Sequence, residues 1–230
     1  MKIVIISDLH GNYDALSALP ESGDELWVLG DLVNYGPQPA EVVDYVRKNA
    51  RIAIRGNHDN AVGFDQDPRC TPRYHEMAEA TRQLSLRALN EGQKAFLRER
   101  PLSIATQRAG AKFVLCHAVP SNPLYGYCPA GSEQWEKEVE QLGADFLLVG
   151  HTHTPFVQKT KRTTVVNPGS LGQPKTGSPE ACYAVWEDGR IELKSFPYDV
   201  SAALRRIEQL PVTEPLRRDL AAVLQTGSVG

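Results

Sequence analysis

The chain opens MKIVIISDLHG over residues 1–11. Ile3–Ile6 are β-branched without exception, and the run stops at Ser7-Asp8, with His10 two positions beyond. A run this short, bounded by turn residues, reads as a strand buried on both faces that empties into a polar loop. The same figure recurs at Leu26–Leu29 before Gly30-Asp31 and at Ile52–Ile54 before Gly56-Asn57-His58-Asp59. It appears again at Phe113–Leu115 before His117 and at Phe146–Val149 before Gly150-His151-Thr152-His153, and Val165–Val166 is a further short run.

Helical patterns lie between several of these strands. Asn12 can cap a helix running to about Leu19, and Pro39–Asn49 places Val42, Val43 and Val46 on one face. Ser132 can cap a segment carrying Trp135, Val139 and Leu142. Strand and helix alternate in the first half, which predicts an α/β sheet. In the second half hairpins are expected at Arg108–Gly110 and at Asp188–Gly189. The architecture expected is therefore mixed α/β, with helices outside one or two sheets.

From about Val200 to residue 230 the chain is helical again, with Leu216, Leu220, Val223 and Leu224 on one stripe behind Thr213 and Pro215. This tail is expected to pack on its own chain; the alternative is a homo-oligomer contact through the same helix. Residues 60–82 carry no strand signal and are long for a connection. They follow the densest motif directly, so they are expected to form a substrate loop overhanging it. No repeat or low-complexity linker divides the sequence. A single domain over 1–230 is expected, with a catalytic core over 1–199.

Lys and Arg number 25 against 28 Asp and Glu, a net charge of −3. That is not the basic footprint of a nucleic-acid surface, so any attraction for phosphate must be local. The opening apolar run meets Asp8 too soon for a signal-peptide core or a membrane span of about twenty residues. A cytoplasmic location without membrane contact is expected. Cys70, Cys116, Cys128 and Cys182 have no C-x-x-C spacing and read as reduced thiols.

Histidine carries the information. His10, His58, His117, His151 and His153 sit at strand exits, while His75 stands outside every motif and reads as a solvated residue. Ligands of α/β sheets bind in the crevice beyond the carboxyl ends of the strands. On an extended segment Asp8 and His10, or His151 and His153, would point the same way and converge on one point. The donors gathered there would be Asp8, His10, Asp31, Asn57, His117, His151 and His153. Oxygen and imidazole without thiolate suit Mn, Fe, Co, Ni or Zn better than calcium or a structural zinc. Seven donors exceed one metal with an open position and fit two metals sharing a carboxylate. Two metals roughly 3.5–4 Å apart can clamp and activate a water for in-line attack on phosphorus. Two divalent ions would outweigh Asp8, Asp31 and a bridging hydroxide, and the surplus positive charge would draw in a phosphate ester.

With Asp8-Leu9-His10, Gly30-Asp31, Gly56-Asn57-His58-Asp59, His117 and Gly150-His151-Thr152-His153 in this order, the chain resembles the calcineurin-like metallophosphoesterases over residues 2 to about 172. The Asn167–Ser170 stretch and the short chain are similar to the small bacterial YfcE-type branch. The resemblance implies a four-layer αββα sandwich, two mixed β-sheets flanked by helices. It implies one divalent transition metal, manganese first among the candidates, on Asp8, His10, Asp31 and His153. A second would take Asp31, Asn57, His117 and His151, with Asp31 bridging. His58 would face the substrate beside Asn57, donating a proton to the leaving oxygen or stabilising equatorial charge, with Asp59 holding its ring.

Protein phosphatases and dinucleoside tetraphosphate hydrolases of that family carry an arginine in the second block, where this chain has Tyr35. A phenol does not replace a planar bidentate fork. The substitution disfavours a protein-phosphatase activity and favours a less charged ester such as a phosphodiester, unless Arg55 or Arg73 brings charge from another loop; a protein or dinucleotide phosphatase is the alternative reading. Tyr35 and Arg73 are thus expected substrate contacts, and Arg69, Tyr74, Tyr125 and Tyr127 are further candidates for the pocket wall. The expected activity is hydrolysis of a small phosphodiester or phosphomonoester. The acidic balance disfavours a nuclease, and the complete donor set with His58 disfavours a silent binding scaffold.

Overall fold

The computed structural model describes residues 1–228, with the side chain of Arg73 outside the description; Val229 and Gly230, the end of the expected tail, also lie outside it. The first half runs β1 (Lys2–Ile6), α1 (Tyr13–Ser17), β2 (Glu25–Val28), α2 (Pro39–Asn49), β3 (Ile52–Ala53), α3 (Asn57–Phe64), α4 (Pro72–Ala88) and α5 (Glu91–Glu99). The second runs β4 (Ser103–Arg108), β5 (Ala111–Cys116), α6 (Gln134–Val139), β6 (Phe146–Leu148), β7 (Phe156–Lys159), β8 (Thr164–Asn167), β9 (Ala181–Glu187), β10 (Arg190–Phe196), α7 (Val200–Glu208) and α8 (Glu214–Thr226).

These strands build two five-stranded mixed sheets, ordered β10-β9-β1-β2-β3 and β4-β5-β6-β8-β7. β1, β2 and β3 are parallel, as are β5, β6 and β8; antiparallel strands form both edges of the second sheet and the β10 edge of the first. The apolar run of β1 explains the layering, because alternate residues face opposite ways. Ile3 and Ile5 join Trp27, Leu29, Ile52 and Ile54 against Phe113, Leu115, Phe146, Leu148 and Val166 of the other sheet. Val4 and Ile6 face the helical layer, packing with Leu16, Val42, Val43, Val46 and Leu97. The Phe113 ring lies edge-on to Trp27 at 5.0 Å and to Trp186 at 5.3 Å, and stacks on Phe146 at 5.2 Å. Each apolar side chain of this size contributes about 1.5–3 kcal/mol when fully buried. On the far side α6 covers the second sheet through Trp135 and Val139, packed on Cys116, Leu147, Val149 and Val165. The four-layer sandwich expected from the resemblance is the observed fold.

Both hairpins turn where the sequence places them. Ala109-Gly110 and Asp188-Gly189 have positive φ at both central residues, 47° and 85° in one turn and 48° and 84° in the other. That is the conformation whose twist matches a two-residue hairpin. Asn12 caps α1, accepting from the Ala15 amide at 3.0 Å. Ser132 lies one residue before Glu133, the cap position of α6, and the helix stops at Val139 short of Leu142.

Residues 60–82 differ from expectation. Instead of a long loop they finish α3, cross a short connection over 65–71 and enter α4, which Pro72 starts in its first turn. The stripe Met77, Ala78, Thr81 and Ser85 is buried, but its polar members hide the apolar period from a sequence reading. The stripe on α8 is used within the chain: Leu216, Leu220 and Leu224 pack with Ala203 and Ile207 of α7, Met77 and Ala78 of α4, and Tyr35. Among the described residues no helix is long and apolar enough to cross a membrane.

Candidate metal centre

Five loops meet at one end of the sandwich, beyond β1, β2, β3, β5 and β6. Backbone bonds lace them together: Asp8 N to Gly30 O at 3.0 Å, His10 N to Asp31 O at 2.9 Å and Gly150 N to His117 O at 2.8 Å. His117 Nδ1 donates to Leu29 O at 2.8 Å and so ties one sheet to the other.

The loops are not extended. Asp8, His10, Asp31, His151 and His153 all have positive φ, 53°, 44°, 55°, 65° and 60°. Side chains favour this region poorly, at a cost of roughly 1 kcal/mol or more per residue. The expectation that residues two apart converge holds for Asp8 and His10, which share one donor group, and is corrected for His151 and His153. His153 Nε2 turns toward His10 Nε2 at 3.1 Å, whereas His151 Nδ1 turns toward Asn57 Oδ1 at 3.1 Å. Glycine makes the crowding tolerable. A β-carbon at Gly56 would overlap the Asp31 carboxylate, and one at Gly150 would overlap the Ser7 hydroxyl and the Asp8 carboxylate.

Two donor groups result. Asp8, His10 and His153 form one and Asp31, His117 and His151 the other, with the donor atoms of each within 4.8 Å of one another. Asn57 Oδ1 joins the second group, 3.2 Å from His117 Nε2. Asp31 Oδ2 stands between the groups, 3.1 Å from His117 Nε2 and 3.8 Å from His10 Nε2. Asp8 Oδ1 is 3.3 Å from His153 Nε2. All seven residues singled out by spacing are therefore brought together.

The protonation pattern suits these groups to cations. Backbone carbonyls hold the Nδ1 atoms of His10 (Val33 O, 3.0 Å), His117 (Leu29 O, 2.8 Å) and His153 (Gln173 O, 2.7 Å). Carbonyls only accept, so each Nδ1 carries the hydrogen, and the neutral rings of His10 and His153 present their Nε2 lone pairs. The Nε2 atoms of His10 and His153 then confront each other as two buried acceptors 3.1 Å apart. Such a pair is repulsive unless a cation lies at hand. Burial drives His10 well below its usual pKa, with the charge of His153 adding to the effect. Burial and the neighbouring His117 take His151 down to about 3. Burial would do the same to His117, but the Asp31 carboxylate beside it, with Asp8, raises it to about 10. A field that favours a proton so strongly favours a metal ion too. Asp8 and Asp31 stay ionised, since the histidines around them outweigh the burial that would raise their pKa values.

His58 is buried beside the second group, and its ring partner is not the one expected. Asn34 Nδ2 donates to His58 Nδ1 at 2.7 Å. Asp59 instead accepts three backbone amides, Asp31 N and Leu32 N at 2.8 Å and Gly56 N at 3.0 Å. The reason is local: Asp59 is the third residue of α3, where a carboxylate reaches the unpaired amides at the helix start. It fastens the Asp31 loop to α3 and does not orient His58. Burial and the charge of Asp31 raise its pKa to about 7. Burial lowers His58 to about 4, so the ring is neutral near pH 7 with its hydrogen on Nε2. That nitrogen lies 3.5 Å from Cys70 Sγ.

Tyr35 is 6% exposed and walls the first group, its ring 4.8 Å from that of His10 and 4.9 Å from that of His58. Its hydroxyl contacts Cys70 Sγ at 3.6 Å, and burial keeps it a neutral phenol. Arg55 points away from the donors, donating to Arg98 O at 2.6 Å and lying over Phe64. Arg73 lies in the first turn of α4 with its side chain outside the described residues. Arg69 covers the Tyr125 ring at 4.8 Å, at a rim shared with Asn60. Tyr127 is 67% exposed and lines nothing, and His75 is exposed as expected. Asn34, Cys70 and the Gln173 carbonyl are contributors that sequence reading misses. Asn34 alone had a signal, a residue tolerant of positive φ (68°) inside the second block.

Comparison with known proteins follows the same geometry. Residues 1–188 match the calcineurin-like phosphoesterase superfamily domain. The chain is 30% identical over 234 residues to an uncharacterized protein of Methanocaldococcus jannaschii, spanning 89% of this chain and 91% of that one. It is 30% identical over 194 residues to the phosphodiesterase YfcE of Escherichia coli K12, spanning 78% and 84%. A metallophosphoesterase structure from Sphaerobacter thermophilus superposes with a TM-score of 0.81 at 26% identity, over 96% of this chain and 98% of that one.

Proposed function

The chain belongs to the calcineurin-like phosphoesterase superfamily, on its YfcE-type branch, and is a phosphoric ester hydrolase; from that premise we propose that it hydrolyses a small phosphodiester or phosphomonoester with two divalent transition-metal ions. Asp8, His10, Asp31 and His153 would hold the first ion. Asp31, Asn57, His117 and His151 would hold the second, with Asp31 common to both. The observation that carries this reading is the pair of buried Nε2 lone pairs on His10 and His153, 3.1 Å apart. Oxygen and imidazole donors without thiolate suit manganese, iron, cobalt, nickel or zinc, and the family resemblance puts manganese first. Bound ions would supply Lewis-acid stabilisation of the phosphoryl oxygens and a nucleophile at neutral pH.

The chain's own residues do the rest. His58, held by Asn34 at Nδ1, presents its Nε2 hydrogen to the leaving or equatorial oxygen of the ester. Asn57 is fixed twice, its oxygen among the second group and its Nδ2 donating to Pro68 O at 3.0 Å. Residues 65–71 are thereby tied to the site, with Cys70 Sγ 3.5 Å from His58 Nε2. Tyr35 offers an uncharged wall where relatives of other activity place an arginine, which supports an ester of low charge. The four free thiols support a cytoplasmic location.

The test is a metal-reconstituted screen of bis-ester, monoester, cyclic-nucleotide and dinucleotide substrates, with metal content measured on the same sample. Turnover of at least one ester with about two ions bound is expected. No turnover on any of them at full metal loading would end the reading.

A further inference from the structure

The His58 Nε2 hydrogen, which the reaction needs at an oxygen of the ester, already has an occupant in front of it. Cys70 Sγ lies 3.5 Å from that nitrogen and 3.6 Å from the Tyr35 hydroxyl. Among the described residues the Tyr35 hydroxyl meets no other polar group, although the residue is buried. Three polar hydrogens therefore converge: Nε2–H of His58, O–H of Tyr35 and S–H of Cys70, a thiol that burial keeps protonated, with its pKa pushed up to about 11. The acceptors among these groups are the Tyr35 oxygen and a thiol sulfur, which accepts only weakly. Whichever way hydroxyl and thiol turn, one of the three hydrogens has no acceptor within the trio. Buried polar groups are normally paired, so the deficit marks a place where an oxygen acceptor fits.

The local chain explains how the sulfur comes to be there. Pro68 O accepts from Asn57 Nδ2 at 3.0 Å, and Arg69 N donates to Asp67 Oδ1 at 2.6 Å. Between Pro68 and Cys70, Arg69 has a φ of 55°, in the left-handed region that side chains favour poorly. A strained turn anchored on Asn57 thus delivers the thiol to His58. The place it fills adjoins the first donor group, since the Tyr35 and His58 rings lie 4.8 and 5.0 Å from the ring of His10.

We propose that Cys70 Sγ is a placeholder for an oxygen of the substrate: the ester moves the sulfur aside, and the Tyr35 hydroxyl and His58 Nε2 then donate together to one phosphoryl oxygen. This rests on the phosphoesterase reading of the same site and deepens it, making Tyr35 a specificity-determining donor. Two uncharged donors suit the single negative charge of a diester, in keeping with an ester of low charge. The exchange is favourable because a charged oxygen is a far stronger acceptor than a thiol. No bond forms or breaks at sulfur, and the thiol keeps its hydrogen.

The experiment uses metal-loaded wild type, Y35F and C70A, with inorganic phosphate as the probe. Cys116, Cys128 and Cys182 are buried and Cys70 is half-buried, so reaction with an aromatic disulfide reagent, blanked against C70A, reports on Cys70. Saturating phosphate is expected to speed the labelling of Cys70 in wild type, because the sulfur is displaced. By calorimetry Y35F should bind phosphate roughly 2- to 10-fold more weakly, the range of one neutral hydrogen bond. Its kcat/KM for an aryl phosphodiester should fall by a similar factor, with metal content unchanged. C70A should bind phosphate at least as tightly as wild type. Unchanged or slower labelling under phosphate, unaltered affinity in Y35F, or weaker affinity in C70A overturns the proposal, and the labelling of wild type needs no variant to fold. A wild type that binds no phosphate, or one that behaves as expected yet turns over no ester, would instead sink the phosphoesterase reading.

Discussion

The two ends of the sandwich treat charge in opposite ways. At the end where the parallel strands begin, several charges meet counter-ions near solvent. The amino terminus pairs with Asp188 at 3.1 Å, Arg108 Nε with Glu25 at 2.9 Å, and Lys2 and Lys194 share Glu21. At the end where those strands finish, Asp8 and Asp31 are 0% and 1% exposed among histidines that present lone pairs to one another. Positive φ in non-glycine residues is needed only at the hairpin turns of the first end. At the second it runs through Asp8, His10, Asp31, Asn34, Tyr35, His151 and His153. Folding alone accounts for the first arrangement. The second costs free energy in strain and desolvation, and it becomes favourable only when something positive enters from outside.

The sharpest way to break this contrast is Asp31→Asn. The carboxylate oxygen between His10 and His117 would become an amide, unable to serve two cations at once. Turnover of a chromogenic ester should fall at least ~1,000-fold as several kcal/mol of charge stabilisation is lost. Bound metal should drop as well, with the far-UV circular dichroism unchanged. An active Asp31→Asn enzyme would refute the shared role.

Removing the metal should matter next most. With free metal about 1,000 times its dissociation constant, bound ions stabilise the fold by about 4 kcal/mol, so chelation should lower the thermal midpoint by several degrees. His153→Ala and His151→Ala should each cost one ion of the pair. The first should destabilise the holo protein more, because His153 is buried and backed by Gln173 O, whereas His151 is half-buried. Insensitivity of the midpoint to chelator would mean the buried donors are satisfied without metal.

Asp59→Asn sharpens the comparison from inside the chain. The amide would turn a donor toward one of the three backbone amides that Asp59 accepts. A buried donor left unsatisfied costs about 1–3 kcal/mol. Urea unfolding with chelator present in both samples should show a loss of that size. Were Asp59 chiefly a partner of the His58 ring, activity would fall without that loss.

All seven donors were legible in the sequence, because a buried strand seldom runs into Asp, His or Asn unless those side chains have a polar task, and glycines mark where backbones approach. The two sheets were legible from the same runs. What stayed hidden depends on three-dimensional contact. Left-handed backbone at His151 and His153 sends neighbouring imidazoles to different groups, a divergence that spacing does not encode. Asn34 reaches His58 across 24 positions, so the local Asp59 was the natural but mistaken partner. α4 was hidden because Thr81 and Ser85 occupy buried positions of its stripe.

The smallest expected effect lies at the opposite end, and it serves as the control for the others. Glu21 accepts hydrogen bonds from Lys2 and Lys194, and these hold its pKa at about 2, below the 4.5 of an unhindered glutamate. A depressed carboxylate stabilises the fold above the unfolded value, and the contribution is lost as pH falls toward the folded one. Glu21→Gln should therefore cost about 1 kcal/mol near pH 7, the scale of a partly solvated ion pair. The gap between wild type and variant should close as pH drops from about 5 toward 2, and it should shrink in high salt. Ester turnover and metal content should not change, because no donor group contacts this network. A Glu21→Gln variant that lost metal would show that the two ends are coupled through β1, and the division of labour between them would have to be abandoned.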